Sequence, residues 1–265
     1  MARKTRLDAE LVRRGLARSR QHAVTLVTDG KVKVGGLTAT KVATAVDPAT
    51  PVAVAMEAGD DVVSRGAHKL AGAFDAWPDL VVEGRRCLDA GASTGGFTQV
   101  LVRRGAATVV AVDVGYGQLA WSLRSDDRVV VLERTNVREL TPDAIGGVVD
   151  LVVADLSFIS LTVVLPALHR CLVADGDAVL MVKPQFEAGR EAVGSGGVVR
   201  DPEVRIAAVT KVAQAAAELG LGTRAVVASP LPGPSGNVEY FLWLTAAAPS
   251  PVDEMIRLAV DRGPQ

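Results

Sequence analysis

Between Val81 and Thr245 short apolar runs alternate with helical stretches, and this rhythm limits the chain to a small set of folds. The runs "RCLDAG", "TVVAVDVG", "RVVVLER", "DLVVADLS", "AVLMVKP", "TRAVVAS" and "EYFLWLT" read as strands. Helices are expected at "FTQVLVRRG", near Trp121, and at "DPEVRIAAVTKVAQAAAELG". The last is the clearest: Asp201 is a natural N-cap, Pro202 fits the first turn and Gly220 ends it. Strands that alternate with helices build a doubly wound α/β sheet, mostly parallel. "PGPSGN" (232–237) reads as a turn joining the last two strands, so the final strand is expected to run antiparallel. With 49% hydrophobic residues the chain can bury a sizeable core.

The first 60 residues follow another pattern. Leu7, Leu11 and Val12 sit at helical spacing, Gly15 stops that helix, and Ser19 is placed to cap a second. Asp29-Gly30 signals a turn, and "KVKV" alternates like a half-buried strand. These features predict a small α+β domain over 1–60, with a linker near 58–62. A larger domain over 63–250 and a tail over 251–265 follow. Charge divides the same way. Residues 1–41 hold ten Lys and Arg against three acids, and the remainder holds nineteen against twenty-seven, although the net charge is only -1. A basic end on an acidic body suits nucleic acid, the alternative being a solvated basic face.

The opening resembles the S4 RNA-binding domain through Arg6-Leu7-Asp8, Gly15-Leu16, Ser19-Arg20, and Gly30 with Val32 and Val34. That resemblance implies RNA contact, with Arg6, Arg14, Arg18, Arg20 and Lys41 as candidate phosphate partners. Arg65, next to the linker, could bridge both domains to one RNA or form a structural salt bridge.

"LDAGASTGGFTQVL" (88–101) is a glycine turn between a strand and a helix. A P-loop requires lysine after its last glycine, but Phe97 follows Gly96; the dinucleotide fingerprint fails on spacing, Gly91 being followed by Gly95 and Gly96. Asp89 before the turn suits a cationic, amino-acid-bearing ligand better than a pyrophosphate. Asp113 ends the next strand, where a carboxylate can accept both hydroxyls of a ribose. The pattern resembles the S-adenosylmethionine site of Rossmann-like methyltransferases. By that resemblance Gly91, Ser93, Gly95, Gly96 and Phe97 wrap the methionine end, Asp113 takes the ribose, and Asn136-Val137 lies near the adenine. The alternative is a turn whose glycines serve packing alone.

Methyl transfer to a hydroxyl requires a base and a group that stabilises developing negative charge. Two neighbouring lysines can provide both, because each disfavours the other's charge. Asp155 closes "LVVAD" and Lys183 closes "AVLMVK", both at carboxyl ends of expected parallel strands, where open α/β sheets bind ligands. Lys69 precedes the first sheet strand, and Glu239 opens the last. Together the four resemble the lysine-aspartate-lysine-glutamate tetrad of 2′-O-ribose RNA methyltransferases, with Lys183 expected as the general base, the alternatives being that it orients the ribose or only pairs with Asp155. "SRGAHKL", "DLSFIS", "VKPQFE" and "GPSGNVEYF" behind the S4-like segment make the chain similar, from Thr5 to Leu244, to the TlyA family of hemolysin A-like ribosomal RNA methyltransferases. The resemblance implies methylation of a cytidine 2′-hydroxyl in 16S or 23S ribosomal RNA, or both, within assembled subunits, with S-adenosylmethionine as donor.

Rival readings are a membrane-active hemolysin, a non-catalytic S4 RNA-binding protein and a small-molecule methyltransferase. The longest uncharged run, "LSFISLTVVLPAL", is shorter than the ~20 residues of a membrane span. "MARKTRLDAE" has no signal-peptide core, and Cys87 and Cys171 lie in apolar runs without metal-ligand spacing. A cytoplasmic monomer without a metal is therefore expected. The glycine-rich segment 187–201 suggests a lid over bound RNA or a plain disordered loop. Aromatics make up only 4% of residues, so few base-stacking platforms are expected.

Overall fold

A computed structural model describes residues 5–14, 16–17, 19–47, 50–54, 62–233, 235–246, 248 and 253–263. The chain divides into two compact units, 1–61 and 62–265.

The first unit comprises β1 (Thr5–Arg6), α1 (Leu7–Arg13), α2 (Arg20–Thr28), β2 (Val32–Val34), β3 (Leu37–Thr38), β4 (Ala45–Val46) and β5 (Val52–Val54). Ser19 caps α2 by accepting the His22 N–H. β2 pairs antiparallel with both β3 and β5, while β1 pairs with β4. Leu7, Leu11, Ala23, Val27, Val32 and Val46 form its core.

The second unit comprises α3 (Arg65–Ala76), β6 (Arg86–Ala90), α4 (Gly96–Arg103), β7 (Thr108–Val112), α5 (Trp121–Arg124), β8 (Val129–Leu132), β9 (Val149–Ala154), α6 (Leu161–Arg170), β10 (Leu172–Val182), α7 (Pro184–Glu187), α8 (Pro202–Glu218), β11 (Gly222–Ala228), β12 (Tyr240–Thr245) and α9 (Asp253–Arg262). Its seven strands run in the order β11-β12-β10-β9-β6-β7-β8. All pairings are parallel except those of β12, which is antiparallel to β10 and to β11. This is the expected α/β sheet with an inverted last strand.

Residues alternate between faces at the two-residue period of a strand. Leu88, Val110, Val152, Leu180 and Leu242 share one core with α6, α8 and α9. Cys87, Val109, Val153, Met181 and Phe241 share the other with α3 and α4.

In the second unit α3, α6, α7 and α9 were not among the helices expected from the sequence, and two of them show why. "LTVVLPALHR" was legible only as an uncharged run, yet it is α6, with Pro166 inside it. Its β-branched residues and proline are poor helix formers, but burial of Val164, Leu165 and Leu168 outweighs local preference. The stretch expected as a tail carries α9, which buries Ile256 and Val260.

Candidate active site

The carboxyl ends of β6, β7, β9 and β10 open on two adjoining clefts of about 410 and 460 Å3, which share Gly91, Ser93, Asp155 and Ser157. Lys69, Asp155, Lys183 and Glu239 all line the first. They arrive from separate elements: Lys69 from α3, Asp155 and Lys183 from the residues after β9 and β10, and Glu239 from the residue before β12. They form two ion pairs. Lys69 Nζ lies 2.5 Å from Glu239 Oε2, with Lys69 7% and Glu239 1% exposed. Lys183 Nζ lies 2.6 Å from Asp155 Oδ1 and donates a 2.9 Å hydrogen bond to Ser157 Oγ. Carboxylates within ion-pair reach keep both amines fixed although little water reaches them. Space for Glu239 depends on Gly233, where a Cβ would stand 2.7 Å from Glu239 Oε1.

The glycine turn is shaped by packing as well as by the cleft. Gly95 has φ 97°, and a Cβ there would meet Leu123 at 2.3 Å. A Cβ on Gly96 would meet Ser64 Oγ at 2.2 Å and the Ala67 nitrogen at 2.8 Å, so the start of α3 rests on the turn. Gly91, Ser93, Gly96 and Phe97 line the first cleft, whereas Gly95 does not. Ser93 adopts φ 49°, uncommon for a residue with a side chain. Its N–H is accepted by Asp113 Oδ2 at 2.8 Å, and the Gly115 N–H by Asp113 Oδ1 at 2.6 Å. Asp113, Asn136 and Val137 line the second cleft. Each Asp113 oxygen keeps acceptor capacity beyond its one backbone partner, as a ribose-binding carboxylate needs.

Asp89 departs from its expected place. It is fully buried and lines neither cleft; its Oδ2 accepts a 2.6 Å hydrogen bond from Thr98 Oγ1 of α4. Strand alternation is the reason: Asp89 lies on the same face as Cys87, toward α4, beneath the turn rather than above it. Burial pushes its carboxyl up to about 7.

The expected RNA contacts of the first unit divide. Arg6 and Arg20 are mostly exposed and share Asp8, at 3.1 and 3.5 Å. Arg14 instead turns inward: it pairs with buried Glu10 at 2.7 Å and donates to the Thr50 carbonyl at 2.9 Å, which commits it to holding the domain together. Lys41 is exposed, and Arg18 lies outside the described residues. Arg65 is exposed and lines the first cleft.

Among the cleft residues that escaped the sequence reading are Ser64, Ser157 and Phe158. Ser64 precedes α3 without capping it, so its hydroxyl is available at the rim. Ser157 holds Lys183. Phe158 is 91% exposed with φ 63°, and its ring lies 5.2 Å from that of Phe186. The available signal was positional, because one phenylalanine follows Asp155 and another follows Lys183 at the same interval of three residues.

The glycine-rich segment is tied down in part. Asn237 Oδ1 accepts the Val199 N–H at 2.9 Å, and Asn237 Nδ2 donates to the Gly197 carbonyl at 2.8 Å. Glu187, expected to begin this loop, is buried and caps α6: its carboxylate accepts the Leu161 N–H at 2.7 Å and the Ser160 hydroxyl at 2.5 Å. The residues after Asp155 and those after Lys183 are thereby joined. Among the described residues no His, Cys, Asp and Glu cluster could hold a metal, and no helix is long and apolar enough to cross a membrane.

Residues 62–246 match the FtsJ-like methyltransferase family model, and residues 5–52 match the S4 domain. The chain is 62% identical, over the whole of both chains, to a Mycobacterium tuberculosis protein named 16S/23S rRNA (cytidine-2'-O)-methyltransferase TlyA. It is 34% identical to a Campylobacter jejuni protein named 23S rRNA (cytidine-2'-O)-methyltransferase TlyA, over 68% of this chain and 70% of that one. A solved structure described as a hemolysin, from Streptococcus thermophilus, is similar at 37% identity and a TM-score of 0.75, covering 99% of this chain and 96% of that one.

Proposed function

Because the chain belongs to the FtsJ-like methyltransferases, and within them to the TlyA family, we propose that it methylates the 2′-hydroxyl of a cytidine in 16S and 23S ribosomal RNA, using S-adenosylmethionine. The observation that carries this reading is the meeting of the two lysine–carboxylate pairs in one cleft, beside a second cleft that ends at Asp113. Action on both RNAs is supported by the name of the relative at 62% identity; the relative at 34% is named for 23S alone.

The residues present fit the donor. Its methionine end would lie against Ser64, Gly91, Ser93, Gly96 and Phe97, its ribose at Asp113, and its adenine by Asn136 and Val137. Gly95 and Asp89 serve the donor indirectly, by permitting the turn and by holding α4 against it. S-adenosylmethionine supplies a methyl group activated by its sulfonium.

Lys183, held by Asp155, takes the proton from the ribose hydroxyl as it attacks. Lys69, held by Glu239, places positive charge where the oxygen becomes negative. Arg6, Arg20, Lys41 and Arg65 contact RNA phosphates, with Arg6 and Arg20 within reach of a phosphate because their own side chains are exposed, although Asp8 between them is buried. Incubating the protein with labelled donor and purified 30S or 50S subunits, then mapping ribose methylation, tests the reading. One methylated cytidine in each subunit is expected; a product without ribose methylation would overturn it.

Phe158 supports recognition of an extruded base. An exposed aromatic ring braced by a second offers a stacking face at the cleft rim. Phe158→Ala should lower kcat/KM for ribosomal RNA roughly 10- to 100-fold, the scale of a lost base stack. Donor affinity, measured by calorimetry, should change less than about twofold, since the substitution leaves the Asp113 side of the cleft intact.

A further inference from the structure

We infer that Ser157 is a positioning residue for the reaction: its hydroxyl, with the Asp155 carboxylate, orients the Lys183 amine so that the lone pair faces the RNA sugar. The inference rests on the assignment of Lys183 as general base.

Lys183 Nζ donates a 2.9 Å hydrogen bond to Ser157 Oγ and lies 2.6 Å from Asp155 Oδ1 in an ion pair that lacks hydrogen-bond geometry. A neutral amine has two N–H donors and one lone pair. The hydrogen bond to Ser157 sets the rotation about the Cε–Nζ bond and leaves two sites for the second N–H and the lone pair. The Asp155 carboxylate attracts the N–H to the site that faces it, which leaves the lone pair the other. Asp155 alone, held by charge without hydrogen-bond geometry, would not fix that rotation. Lys183, Asp155 and Ser157 all line the cleft that also holds Lys69 and Glu239, so the remaining direction opens toward the reacting centre.

Ser157 is not otherwise occupied by the fold. The cap of α6 is made by Ser160 and Glu187, so the Ser157 hydroxyl is not needed there. The residue is exposed in the structure and borders both clefts, which places it where donor and acceptor substrates meet. Its neighbour Phe158 adopts φ 63°, a turn that lets residue 157 face the amine while residue 158 faces outward.

During the transfer the Lys183 lone pair takes the hydroxyl proton, the ribose oxygen forms its bond to the methyl carbon, and the donor's carbon–sulfur pair returns to sulfur. The amine ends as an ammonium that keeps its hydrogen bond to Ser157 and its ion pair with Asp155. No rearrangement is therefore needed as the charge appears, which is the advantage of preorganised partners.

The experiment compares Ser157→Ala, Ser157→Thr and Lys183→Ala in the full chain. With saturating donor and ribosomal subunits, Ser157→Ala should lower kcat roughly 10-fold, the scale of one lost charge-assisted hydrogen bond. KM for both substrates should move less than about twofold, because the lost contact does not touch either in the ground state. Ser157→Thr, which restores a hydroxyl, should return kcat to within about threefold of the parent. A kcat in Ser157→Ala equal to the parent, beside an inactive Lys183→Ala, overturns this inference alone. Retained turnover in Lys183→Ala overturns the general-base reading beneath it. A raised KM with unchanged kcat in Ser157→Ala would assign the hydroxyl to substrate binding and likewise overturn the inference.

Discussion

Lys183→Ala should reduce methyl transfer to ribosomal RNA by roughly 10³-fold, the middle of the range for removal of a general base. That corresponds to about 4 kcal/mol of transition-state stabilisation. Donor affinity, measured by calorimetry, should stay within about twofold, because Asp113, Asn136 and Val137 sit around the second cleft and do not touch Lys183. The separation of the two readouts is the point. Lys183 is nearly buried and pairs with Asp155 at 2.6 Å, so its removal leaves that carboxylate without its amine. A folding defect would depress donor binding and turnover together. Loss of a base depresses turnover alone. Turnover within tenfold of the parent would remove Lys183 from the role of base.

Gly91→Ala should unfold the chain at a temperature several degrees lower and weaken donor binding at the same time. The residue has φ 89°, where a side chain is strained, and a Cβ would stand 2.5 Å from the Asp155 carbonyl oxygen and 2.9 Å from Leu156 Cδ2. Backbone strain of this kind and forced overpacking each cost on the order of 1–3 kcal/mol. Together they predict about 3 kcal/mol, or a fall of roughly 6–12 °C in Tm for a chain this size. The nearer clash is with the Asp155 backbone, which cannot turn aside as the Leu156 side chain can. It also pushes on the residue that carries the Asp155 carboxylate, and turnover should fall further than stability alone accounts for. Differential scanning fluorimetry with and without S-adenosylmethionine reads both effects. An unchanged Tm would mean that the turn relaxes around the methyl group, against the geometry at Gly91.

The sheet was legible because its signal is local and repeated. Each strand from "RCLDAG" to "EYFLWLT" is a short apolar run bounded by polar or glycine residues, and both faces are covered. α8 was legible for a similar reason, since Asp201, Pro202 and Gly220 mark its ends in the chain itself. α6 was not. Nothing within "LTVVLPALHR" announces a helix; its cap comes in part from Glu187, and its stability from a face buried against distant strands.

The site divides along the same line. That Lys69, Asp155, Lys183 and Glu239 belong together was readable from motif positions at strand ends and from family resemblance, and the cleft brings all four to its walls. How they pair was not readable. Lys69 finds Glu239 across 170 positions of sequence, and Lys183 finds Asp155 with Ser157 beside it. Asp89 is the converse case: its place in the turn motif suggested a ligand contact, yet alternation along β6 sends it beneath α4. Arg14 is another, its charge suggesting RNA until Glu10 and the Thr50 carbonyl claim it.

Periodicity, turn residues and charge act between near neighbours, so the order of residues alone decided the α/β class, the basic front segment and the candidate residues at strand ends. Which amine meets which acid, where Asp89 and Arg14 point, and that Phe158 stands in the open were decided only by the assembled sheet. Those outcomes depend on distances between segments far apart in the chain, and such distances exist only after the two cores have closed.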